Sequence, residues 1–99
     1  MTRKEILDAA IQTVTHDRQD AYGTPEQNFE LIARFWTWYL TASGESDVFI
    51  GGSDVAAMMA LLKIARIATG KPKQDNWIDL AGYAACGGEL QSGQEARYG

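Results

Sequence analysis

Of 99 residues, one is cysteine, one is histidine and two are proline. Cys86 alone can close no internal disulfide, which places the chain in a reducing cytoplasm, and one thiol cannot build a cysteine-based zinc site. As a nucleophile Cys86 would need a basic partner, and His16, at a helix end, stands in no recognisable signature with it. Long hydrophobic runs are missing too. The largest apolar stretch is interrupted by Lys63 and Arg66 and is too short and too charged for a membrane span. The opening "MTRKEILDAA" lacks the apolar core and small-residue cleavage site of a secretory signal. Nor is there a glycine-rich phosphate loop, since Gly51-Gly52 lacks the following Lys. Positive charge is scarce. Nine Lys and Arg stand against 13 Asp and Glu, for a net charge of −4 and a pI near 4.8. Such a surface offers no electrostatic footprint for duplex nucleic acid or anionic lipid, whereas a local basic cluster can still hold one or two phosphates.

What is there is helical. The chain is 45% hydrophobic with three Trp, three Phe and four Tyr, a globular composition. From Lys4 to Thr15, residues Ile6, Leu7, Ala10, Ile11 and Val14 form one helical stripe. "THDRQDAYGTP" breaks the pattern. Thr24 then reads as an N-cap, with Pro25 at the first helical position and Gln27 completing a capping box. Phe29, Ile32, Ala33, Trp36, Tyr39 and Leu40 continue that second helix to "TASGES" near position 42. Ser53 or Asp54 is expected to cap a third helix running to Gly70, apolar around nearly its whole circumference and hence central or covered by a partner chain. Pro72 enforces a break. Asp75 is the expected cap of a fourth helix with the apolar row Ile78, Ala81, Ala85 and Leu90, and residues 90–99 read as a loose tail. The expectation is one all-α domain over 1–99, a small four-helix bundle. At this size, with apolar surface to spare, stability is expected from a homodimer or higher homo-oligomer.

Several residues invite chemistry, and each also has a plainer explanation. Lys63 and Arg66 share a face of the most apolar helix and demand an anionic partner, either a carboxylate across the hairpin or a ligand phosphate. Asp75 and Asp79, one turn apart, can share Mg²⁺ or can simply cap and favour a helix start. Glu26 and Glu30 repeat that spacing in a first turn, where charge complements the dipole without any ligand. Asn28 beside them offers an amide to a base edge or a phosphate, or lies on an open helix surface. In "DRQDAYG", Arg18 can fork onto phosphate and Tyr22 can stack on a base, or both belong to a solvated turn. Trp36, Trp38, Trp77 and Met58-Met59 read as packing or interface residues.

The succession "RQDAYGTPEQNFELIARFW", "DVAAMMALLKIAR" and "DNWIDLAGYAAC", covering Arg18 to Cys86, resembles a small phage and prophage family of all-helical proteins of uncharacterised function. More distantly, its YG, KxxR and DxxxDxxxY elements are similar to phage nucleotide-modification-associated domains and to the MazG-like nucleotide pyrophosphohydrolases. That likeness implies a nucleotide-type small molecule as partner. Two expectations follow. In the first, Lys63, Arg66 and Arg18 hold the phosphates of a nucleotide or nucleotide-derived signal, with Tyr22, Asn28, Asp79 or Tyr83 on the rest of the ligand. Such a protein would act as a sponge for a defence signal of the cyclic nucleotide or cyclic ADP-ribose type, with neither membrane nor duplex nucleic acid as partner. In the second, Asp75, Asp79, Glu26 and Glu30, with Asp54 as a further candidate, hold Mg²⁺ for pyrophosphohydrolysis. MazG-like enzymes carry ExxE and ExxD on neighbouring helices, whereas this chain has a four-residue acid spacing and two cations on its central helix.

Overall fold

The computed structural model describes residues 1–17, 24–45 and 47–98, with the backbone alone at 16–17 and 93–98. Among the described residues there are four α-helices: α1, Arg3–Gln12; α2, Pro25–Ala42; α3, Gly52–Thr69; and α4, Gln74–Tyr98. Among the described residues there is no strand, so the protein is all-α as expected. The pair α3 and α4 forms a hairpin at the centre, with α2 laid mainly on α3 and α1 on α4.

Local chemistry explains most helix ends. The Thr2 hydroxyl accepts from the Glu5 N–H, and the Glu5 carboxylate accepts from the Thr2 N–H, a reciprocal capping box at the start of α1. Thr24 and Gln27 do the same at α2, with Pro25 at its first position, as the sequence predicts. Helix α1 does not keep α-geometry to Thr15. Past Gln12 it loosens into a π-helical turn, Thr13–Asp17, in which the Thr15 hydroxyl donates to the Ile11 carbonyl. The expected cap of α3 is also corrected. Gly51 is its N-cap, and Asp54, three residues on, accepts the Gly51 N–H at 2.9 Å. Because α4 starts at Gln74, Asp75 lies inside its first turn instead of capping it. The backbone from Leu90 onward, expected as a loose tail, continues α4 to Tyr98. Between α2 and α3, Gly44 at φ +111° turns the chain, and Thr37 ties the returning strand of loop by bonding both Ile50 N–H and C=O.

Phe29 and Ala33 of α2, Val55 and Ala56 of α3 and Tyr83 of α4 form the core, with Trp36, Met59, Cys86 and Leu90 packed against it. Phe29 and Tyr83 stack at a tilt, ring centroids 5.9 Å apart. Close approach of α4 depends on glycines. A Cβ on Gly87 would meet the Ala56 side chain at 3.0 Å, and one on Gly82 would meet Val14 at 3.0 Å. The expected α4 row is therefore only partly right: Ile78 is buried, whereas Ala85 is exposed and Gly82 and Tyr83 take the inward places.

Candidate functional site

At the turn end of the α3–α4 hairpin the last turn of α3 carries Arg66 and Thr69, the connection carries Lys71 and Lys73, and the first turns of α4 carry Asp75, Asn76 and Asp79. Together with Lys63 they line a cleft of about 430 Å³. The connection stays extended because Pro72 cannot continue a helix and Gly70 ends α3 by donating its N–H to the Arg66 carbonyl at 2.9 Å. Two lysines are thereby held beside the start of α4, whose first-turn N–H groups add partial positive charge.

Lys63 and Asp79 answer each other. Their Nζ and Oδ2 atoms lie 2.9 Å apart, with side chains only 10% and 22% exposed. The anionic partner that buried Lys63 demands is thus a carboxylate of α4. With that pair neutral, Arg66, Lys71 and Lys73, all exposed, face one remaining acid, Asp75. The cleft is net positive by two charges on a molecule of net charge −4. Buried Asn76 also lines the cleft.

Asp79 also walls a second, much smaller cavity of about 20 Å³, together with Asn28, Phe29, Gly82 and Tyr83. That volume holds one water and no nucleobase. The structure therefore groups the predicted residues in two sets that meet at Asp79: Lys63 and Arg66 on the cleft, Asn28 and Tyr83 on the small cavity. Tyr83 is buried with its ring on Phe29, and it does not line the cleft. Arg18 and Tyr22 lie outside the described residues. Lys71 and Lys73, which sequence reasoning passed over, line the cleft. Their signal was two lysines flanking a proline directly before a helix start.

The four carboxylates expected to share Mg²⁺ are not brought together. Asp75 and Asp79 line the cationic cleft, while Glu30 lines a different cleft with Arg34, Gly51 and Gly52. Asp54 caps α3, and Asp79 is engaged by Lys63. Among the described residues no group of three or more His, Cys, Asp or Glu stands close enough to hold a metal ion. The donor set does not fit Mg²⁺, because a divalent cation is repelled by a cleft already net positive by two charges.

A family profile described as a domain of unknown function, DUF6378, matches residues 5–91. The Gene 55 protein of Mycobacterium phage L5 is 37% identical over 93 residues, 94% of this chain and 56% of that protein. The Gene 55 protein of Mycobacterium phage D29 is 36% identical over 83 residues, 84% of this chain and 51% of that protein. The chain thus spans about half the length of these curated relatives. No solved structure matches. No described helix is long and apolar enough to cross a membrane.

Proposed function

The chain belongs to DUF6378, a family of unknown function with phage relatives, and we propose that it binds a nucleotide or nucleotide-derived signal through its phosphates. The observation that carries this reading is the net positive cleft of about 430 Å³ on an otherwise acidic molecule. Phosphate oxygens accept charge-assisted hydrogen bonds from Arg66, Lys71 and Lys73, each worth about 1.5–3 kcal/mol. The start of α4 contributes oriented N–H groups at the same place. Lys63 has a different part: with Asp79 it fixes α3 against α4 and so sets the width of the cleft. A protein that holds such a ligand without changing it works as a sponge for cyclic nucleotide or cyclic ADP-ribose type signals. The Mg²⁺-dependent pyrophosphohydrolase reading finds no support in the placement of Glu30, Asp54 and Asp79.

Calorimetry against inorganic phosphate, ADP, cyclic nucleotides and cyclic ADP-ribose tests the reading. Binding to at least one nucleotide is expected, lost in Lys71→Ala with Lys73→Ala, and no binding across the panel overturns it. Chromatography of the ligand after denaturing the protein separates the two activities. Intact recovery means sequestration, and a changed mass means catalysis.

A further inference from the structure

Between Asp54 and Arg66 the only charged residue of α3 is buried Lys63, so the outer side of this helix carries no charge over eleven successive positions. That side exposes Met58, Leu61, Leu62 and Ile64, with Leu61 63% and Ile64 49% accessible. Ala57, Ala65 and Ala68 complete the same face, and their small side chains let another backbone approach. Although α3 packs on both α2 and α4, its apolar circumference is larger than two neighbours can cover.

The whole chain has the same surplus. Its accessible surface is 7148 Å², where a compact monomer of 10.9 kDa shows about 5,600 Å². Its radius of gyration is 14.8 Å, against about 12.6 Å for a compact chain of this length. An excess of about 1,500 Å² lies in the range that one protomer buries in a large, permanent interface, and it is spread over the whole chain, exposed Phe35, Trp38 and Tyr39 of α2 included.

We infer that the outer face of α3 is the interface with a second copy of this chain, the two α3 helices packing antiparallel about a two-fold axis near Leu61. Charge sets the direction. Asp54 stands at the N-terminal end of the face, while the C-terminal end of α3 leads to the cleft's Arg66, Lys71 and Lys73. Parallel packing would press the two basic ends together, whereas antiparallel packing brings the acid of each copy toward the basic end of its partner. It also leaves the two cationic clefts at opposite ends of the dimer. The inference stands on the apolar face and the area, independently of any ligand.

Sedimentation velocity over a dilution series reads the outcome. The wild-type chain is expected at twice 10.9 kDa, and Leu61→Glu with Ile64→Glu at 10.9 kDa with unchanged helical circular dichroism. A wild-type tetramer that falls to a dimer in the same variant supports the α3 interface equally. A monomeric wild type, or a dimer that persists in the variant, overturns it. Should the double variant fail to fold, oxidative cross-linking in a Cys86→Ser background decides. Leu61→Cys is expected to link the copies. Ala68→Cys is expected not to, because antiparallel packing parts its two copies by about 20 Å, beyond disulfide reach. Linking at both positions, or at neither, rejects the antiparallel pair.

Discussion

Lys63 illustrates how a single buried charge constrains a fold. Its side chain is only 10% exposed, and among the described residues Asp79 at 2.9 Å is the carboxylate that compensates it. Removing that carboxylate strands the cation, so Asp79→Ala is expected to cost about 3 kcal/mol of stability in denaturant unfolding. Replacing both partners, Lys63→Met with Asp79→Leu, is expected to be near neutral, because neither buried charge then remains. Phosphate-ligand affinity should survive the double change if Arg66, Lys71 and Lys73 carry it, and its loss would return Lys63 to the binding set. From residue types alone, Lys63 was legible as a cation in need of a partner, but not which one, since Asp75, Asp79 and a ligand phosphate satisfy a lysine alike; the structure pairs it with Asp79. Lys71 and Lys73 were illegible for another reason: outside any helix they follow no periodicity, and only the fold brings them beside Arg66. Glu5 offers a pH handle of its own. The hydrogen bond from the Thr2 backbone, and then that with the Thr2 side chain, hold its carboxyl below the ordinary 4.5. Its ionised form is thus favoured by folding. The capping contribution is fully present above pH 4.5 and is lost as the pH falls through the lower folded value. NMR titration should show Glu5 midpoints moving back toward the ordinary value in Thr2→Ala.

Among the elements, α2 and α4 follow different logic. Helix α2 announces its start in the sequence, because Thr24, Pro25 and Gln27 act through bonds only three residues long. Thr24→Ala should cost about 1 kcal/mol, measurable as a lowered thermal midpoint. Helix α4 is held by what its glycines permit. With a Gly87 Cβ position 3.0 Å from Ala56, the α3–α4 spacing has no room for a large side chain, so Gly87→Leu should destabilise by about 1–3 kcal/mol despite leucine's better helix propensity. No change in the thermal midpoint of that variant would mean that the hairpin is looser than its geometry. Periodicity marks apolar residues and passes over glycine, which is why the row Ile78, Ala81, Ala85 and Leu90 was only partly right. The π-helical turn at Thr13–Asp17 and the extension of α4 past Leu90 leave no local signature either.

For the molecule as a whole, the interesting quantity is the contrast between cleft and surface. A net charge of −4 with two net positive charges in the cleft leaves about six negative charges spread over a body 44 by 32 by 28 Å. A phosphate in the cleft meets its attraction within a few ångströms and its repulsion at tens of ångströms. Salt separates the two. At ~0.01 M the screening length of ~30 Å spans the molecule, and the distant acids oppose binding. At ~0.1 M it shrinks to ~10 Å, which removes most of the repulsion and retains most of the attraction. At ~1 M only ~3 Å remains, and the cleft itself is screened. Affinity for a phosphate-bearing ligand should therefore pass through a maximum near ~0.1 M salt, a shape that titration calorimetry at these three ionic strengths would reveal. A steady fall from the lowest salt upward would mean that the acidic surface has no influence on the cleft. Affinity indifferent to salt would mean that phosphates are not what Arg66, Lys71 and Lys73 hold.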